Sequence, residues 1–147
     1  MKKMPVIMYF SDPFQNPPFR ANIVVATDSV IDKKYQMYNC HVSQIYEWLP
    51  YTYGELDRVP TDETERLEWY RSPRVPRDRA LTLEELLANQ SENYNEYFEA
   101  LPAAKYRDLL VKRYGEKGKK VLFAEVFELS EYGLQLDEGS ARILFPF

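Results

Sequence analysis

The chain has 147 residues, 45% of them hydrophobic, so it can bury a core and is not a disordered polypeptide. Its formal charge of −4 argues against general nucleic-acid binding, which needs surplus cations to displace counterions. A single cysteine excludes an intrachain disulfide, and the apolar run near the N-terminus is too short for a signal peptide or a membrane span, so the cytoplasm is the expected compartment.

Residues 5–10 (PVIMYF) are short and apolar on both faces, which predicts a fully buried strand. A buried strand so close to residue 1 is what a truncated chain, a split gene or a misplaced start codon would produce. Three prolines in the loop 11–20 exclude a helix there. Residues 23–27 (IVVAT) predict a second buried strand. Asp28-Ser29 then signals a helix start, with Ser29 as N-cap and Asp32 three residues on, an imperfect capping box. The helix is expected over 30–48, burying Met37, Tyr38, His41, Ile45 and Trp48 and stopped by Pro50.

Residues 50–81 read as a partly irregular insert. It has an acidic cluster, a short helix near 62–70, and then arginines at 71, 74, 77 and 79 interleaved with Pro73 and Pro76. Those arginines could meet an anion, but pairing with the acidic stretch before them is the expected use, a weak surface effect. Thr82-Leu-Glu-Glu85 is a clean capping box for a second long helix, with Pro102 ending or restarting it. A further helix over 105–114 closes at Gly115. The strongest strand is 121–129, and 141–145 is expected to add a last one. The order is β-β-α-(insert)-α-α-β-β, a layered α/β arrangement. A parallel pairing of the first two strands, joined only by 11–22, would need an unusual crossover.

Among residues that could carry chemistry, His41 is the one imidazole. It reads as a metal ligand, base or substrate contact, or more simply as a histidine packed on an apolar helix face. Cys40 is its neighbour, but adjacent helical residues point about 100° apart, so the two do not form a nucleophile–base pair. Glu125 inside an apolar strand calls for a hydrogen-bonding partner or an edge position. The loop after the first strand, with Asp12, Phe14 and Gln15, is a candidate substrate rim because ligands of open α/β sheets gather at the carboxyl ends of strands. No Gly-rich phosphate loop, nucleophile elbow or paired metal-ligand spacing is present.

Several strings together resemble the LmbE-like family, also called PIG-L or GlcNAc-PI de-N-acetylases. They are PVIMYFSDPFQ at 5–15, NIVVATDSVIDKK at 22–34, the H-x-S-Q string His41-Val42-Ser43-Gln44 after a small residue, and AEVFE at 124–128. The resemblance implies the C-terminal part of a single Rossmann-like α/β domain spanning 1–147, and zinc-dependent hydrolysis of an N-acetyl group, usually on an amino sugar. In the family an H-P-D-D segment and an H-x-x-H segment bring the zinc ligands and the general base, and neither occurs here. His41, Ser43, Gln44 and Glu125 therefore carry over as family-marker or site-supporting positions. None is carried over as catalytic or metal-binding, and no zinc is expected on this chain alone. The resemblance further implies an N-terminal counterpart chain, or self-association through an unpaired sheet edge. The alternative is a non-catalytic interaction module derived from the same fold.

Overall fold

The computed structural model describes residues 4–11, 18–71, 78–88 and 94–146. The chain divides into two compact units, Ser29–Arg74 and the remainder, Met1–Asp28 with Val75–Phe147.

The larger unit is built on a three-stranded sheet of β1 (Met8–Phe10), β2 (Ile23–Ala26) and β3 (Ala124–Leu129), in the order β1-β3-β2. Both pairings are antiparallel, with Phe10 and Ile23 each opposite Phe127. The crossover problem posed by the sequence thus disappears: β3, more than a hundred residues later, lies between the first two strands. A Rossmann-like sheet is mostly parallel, whereas no pairing among the described residues is. β1 is not the buried strand expected from its composition. It lies at the sheet edge, with Phe10 67% exposed. It is anchored by the segment after β3: Ser130 N–H donates to Ile7 O at 2.9 Å, Leu134 N–H donates to Pro5 O at 2.9 Å, and the Tyr9 and Ser130 hydroxyls pair at 2.8 Å.

β2 forms where a buried strand was expected, with Ile23, Val24 and Val25 buried, whereas β3 begins at Ala124 rather than 121, with Ala124 and Val126 buried and the other four residues half-buried. Successive side chains alternate between the two faces of the sheet. Val24, Ala124 and Val126 pack on one face with Ala103, Leu110 and Val121. Ala103 belongs to α5 (Tyr94–Lys105) and Leu110 to α6 (Arg107–Tyr114). Pro102 neither ends nor restarts α5; it sits within the helix. The capping box forms as read at the start of α4 (Leu83–Ala88). Thr82 N–H donates to Glu85 Oε2 at 2.9 Å, and Glu85 N–H donates to Thr82 Oγ1 at 3.1 Å. α6 ends at Gly115, whose φ of +62° is a conformation only glycine adopts cheaply. A 3-10 helix, Gly115–Lys120, leads from there toward β3.

The expected last strand at 141–145 is instead part of α7 (Glu138–Leu144). Asp137 caps this helix through Ser140 N–H at 2.7 Å, and that local bond outweighs the strand-like appearance of Ala-Arg-Ile-Leu-Phe.

The smaller unit holds α1 (Ile31–Tyr38), a π-helical segment (Ser43–Trp48), α2 (Leu49–Thr52) and α3 (Glu63–Arg71). Its core is aromatic. The Tyr70 ring meets Tyr35 at 5.6 Å, Tyr38 at 6.1 Å and Tyr46 at 6.2 Å, all edge-on, and Tyr46 lies 6.4 Å from Trp69. Edge-to-face rings at these separations are favourable beyond their buried area, which accounts for several of the chain's tyrosines. α3 begins where the sequence placed it. Asp62 accepts the Thr64 hydroxyl and the N–H groups of Thr64 at 2.8 Å and Glu65 at 3.2 Å, and these bonds, the hydroxyl's first, hold its carboxyl below the ordinary range.

The expected capping box at Ser29 does not form. α1 starts after Val30 with no side-chain cap. The adjacent Asp28 instead accepts Leu122 N–H at 2.9 Å within the larger unit. The continuous helix expected over 30–48 is also interrupted at 39–41.

Candidate functional site

The break in the expected long helix lies beside an exposed aromatic surface, with Trp48 and Tyr51 both exposed. After Tyr38 the backbone tightens: Cys40 N–H bonds Met37 O at 3.1 Å and His41 N–H bonds Tyr38 O at 2.8 Å. It then widens into the π-helical segment, where Leu49 N–H reaches back five residues to Gln44 O. Pro50 supplies a physical reason. It has no N–H to donate, and in a regular α-helix its ring would strike the carbonyl four residues back, that of Tyr46. A wider turn just before the proline lets the chain continue, so Pro50 does not stop the helix but sits in the first turn of α2. Segments of this kind recur at functional sites.

The wider turn rotates side chains away from the face expected to be buried. Ile45 and Tyr46 point inward with Ile31 and Tyr35. The Tyr46 hydroxyl donates to Asn39 Oδ1 at 2.7 Å, and burial pushes its pKa up, with Arg66 pulling the other way. Met37, His41 and Trp48, expected in the core, are exposed instead, Met37 at 61% and Trp48 at 57%. Helical periodicity alone was ambiguous here, because large apolar residues occupy both sides of this segment.

Ser43, Gln44, Glu47, Trp48, Tyr51 and Leu56 line an open groove of about 520 Å³. A neighbouring hollow of about 490 Å³ shares Tyr51 and Leu56 and adds Gly54 and Asp57. The first volume lies within the range of small-molecule and peptide-segment sites, about 300–1,000 Å³. By contrast, a cavity in the larger unit, lined by residues such as Asn22, Leu109 and Arg142, has only about 120 Å³.

Two of the four marker positions, Ser43 and Gln44, thus stand in the groove wall. His41 is exposed on the same segment, and its carbonyl accepts the N–H groups of Gln44 at 3.1 Å and Ile45 at 2.9 Å. The histidine packed on an apolar helix face is therefore not what the structure has. Cys40 is exposed as well, with Sγ donating to Gln36 O at 3.6 Å. Glu125 belongs to the larger unit, half-buried on β3 opposite Val25. The candidate rim residues Asp12, Phe14 and Gln15 lie outside the described residues, as does most of the arginine-proline segment. The arginines at its two ends are paired, Arg71 with Asp32 at 2.8 Å and Arg79 with Glu85 at 2.9 Å.

Sequence reasoning missed a polar cluster that ties the start of β3 to α6. Arg107 Nη1 donates to Gly118 O at 2.8 Å and Val121 O at 2.7 Å, and burial draws its pKa down while Asp28 opposes that shift. Its partners are backbone groups whose free valences it satisfies, so the cluster is structural. Only long-range contacts assemble it, and no local signal in the sequence could have revealed it.

A zinc ion needs three or four convergent nitrogen, sulfur or oxygen donors. The one imidazole and one thiol are exposed on the surface, and among the described residues no group of three His, Cys, Asp or Glu side chains converges. The donors among the described residues do not converge as a zinc site requires. Among the described residues, no helix is long and apolar enough to cross a membrane. No protein-family model, no curated protein and no solved structure matches the chain.

Proposed function

We propose that this chain is the C-terminal portion of an LmbE-like, zinc-dependent de-N-acetylase acting on the N-acetyl group of an amino sugar, with the metal ligands supplied by residues outside these 147. The observation that carries the reading is the exposed stripe Gln44, Trp48 and Tyr51, which lines the groove together with Ser43 of the marker string. Exposed Trp and Tyr side chains gathered along one groove are the composition of an interface, not of ordinary solvated surface. In this reading the stripe is where the metal-bearing counterpart docks. The same reading is of a cytoplasmic protein.

A second reading, a non-catalytic interaction module derived from that fold, draws on the same stripe and on the shortage of donors. Both readings are tested by co-expressing the chain with the polypeptide encoded immediately before it. The de-N-acetylase reading expects a co-purifying partner carrying H-P-D-D and H-x-x-H, one zinc per complex, and acetate released from an acetamido sugar. If no such partner is encoded there, or the complex releases no acetate, the interaction module replaces it.

A further inference from the structure

The groove on the smaller unit has a chemical bias beyond its aromatic character. Among the described residues that line it, the charged ones are Glu47 and, in the adjoining hollow, Asp57. Between residues 43 and 57 the chain carries no lysine or arginine. The next cation along, Arg58, is held by Glu55 at 2.8 Å. Among the described residues neither Glu47 nor Asp57 has an ion-pair partner, and no cation lies over Trp48 or Tyr51.

The inward-facing rings of the same unit are treated differently. Arg66 lies 5.8 Å from the Tyr46 ring centre and Lys34 lies 5.6 Å from that of Tyr38. Trp48 and Tyr51 offer the same kind of ring face, exposed at 57% and 73%, and two carboxylates line the same surface with no ion-pair partner among the described residues. Tryptophan and tyrosine faces attract cations through the ring quadrupole, and an adjacent carboxylate adds to that attraction.

We infer that this groove receives a lysine- or arginine-bearing segment of a partner protein, the cationic heads stacking on Trp48 and Tyr51 and pairing with Glu47 and Asp57. The inference rests on the docking face proposed above and names the chemistry of what docks there. A purely apolar segment would leave both carboxylates facing low-dielectric surface without compensation, and an acidic one would be repelled.

The test uses the purified 147-residue chain and two synthetic peptides, one with arginines spaced by alanine and proline, the other with glutamine in place of each arginine. Binding is followed by amide chemical shifts in low salt. The inference expects saturable shifts at Gln44, Glu47, Trp48, Tyr51 and Leu56 with the arginine peptide alone, and binding that weakens as salt is added. The double variant Glu47→Gln/Asp57→Asn should weaken binding by roughly fivefold, as loss of two exposed charge pairs does. Trp48→Ala should weaken it by a similar factor, with circular dichroism checking that the variant is folded. Equal binding of the two peptides, or shifts that both variants leave unchanged, overturns the inference. So does sedimentation showing that a second copy of the chain already fills the groove. None of these readouts involves zinc or acetate, so failure here is distinguishable from failure of the de-N-acetylase reading.

Discussion

Replacing Gly118 with alanine offers a severe test of the larger unit's packing. Gly118 is buried at the contact between the 3-10 helix and α6. A Cβ there would lie 2.3 Å from Leu110 O, 2.4 Å from Leu110 C and 2.7 Å from Val111 N. All three are backbone atoms, so no side chain can swing aside, and the two segments must separate by about 1 Å to restore ordinary contact. Overpacking of this kind costs about 2 kcal/mol. The same movement pulls Gly118 O away from Arg107, which now bonds it at 2.8 Å, and weakening a bond to a charged donor adds about 1.5 kcal/mol. The expected loss is therefore about 3–4 kcal/mol, read as a lowered urea midpoint by circular dichroism. Gly54→Ala is the control. Its φ of +69° makes alanine strained, but nothing lies within 4 Å of the added methyl, so it should cost only about 1 kcal/mol. If Gly118→Ala shifts the midpoint no further than the control, the close approach of these segments is not as described.

Other outcomes follow from the same geometry. Thr82→Ala should destabilise the chain by about 1 kcal/mol in urea unfolding, because it removes the acceptor for Glu85 N–H. Bonds from Arg79 and then Thr82 hold the Glu85 pKa down to about 2, below its ordinary 4.5. A depressed folded-state pKa contributes stability above the unfolded value, lost as pH falls from about 4.5 toward 2, so an acid titration of Glu85→Gln should lack that component. Tyr46 runs the opposite way. Burial raises its pKa, so its stabilising neutral form is fully present below pH 10 and lost as pH rises through the higher folded-state value, and Tyr46→Phe should flatten the alkaline limb of the stability profile. Leu110→Ala, at a fully buried position, should cost about 3 kcal/mol by urea unfolding, whereas His41→Ala, at an exposed position, should stay within about 0.5 kcal/mol.

What could be read from the sequence was local. The Thr82–Glu85 box, the start of α3 at Asp62, the glycine end of α6 and the two buried strands each depend on residues a few positions apart. Asp137 and Ser140 were an equally local signal, hidden by the strand-like run that follows them. What could not be read was decided at a distance. β3 enters between β1 and β2 from the far end of the chain, and that placement sets every strand direction and makes β1 an edge. In the helix before Pro50, Tyr35 and Tyr46 compete with Met37 and Trp48 for the core. The choice is made by Trp69 and Tyr70 on α3, more than twenty residues later. The groove follows from that choice. Ser43 and Gln44 could be singled out from sequence, but not that they would line a wall with Trp48 and Tyr51.

The most direct measurement is equilibrium dialysis of the isolated 147-residue chain against zinc, followed by elemental analysis and an assay for acetate release from an acetamido sugar. The account predicts no stoichiometric metal and no acetate, because one exposed imidazole and one exposed thiol cannot enclose the ion. One tightly held zinc per chain, lost in His41→Ala and accompanied by acetate release, would contradict it.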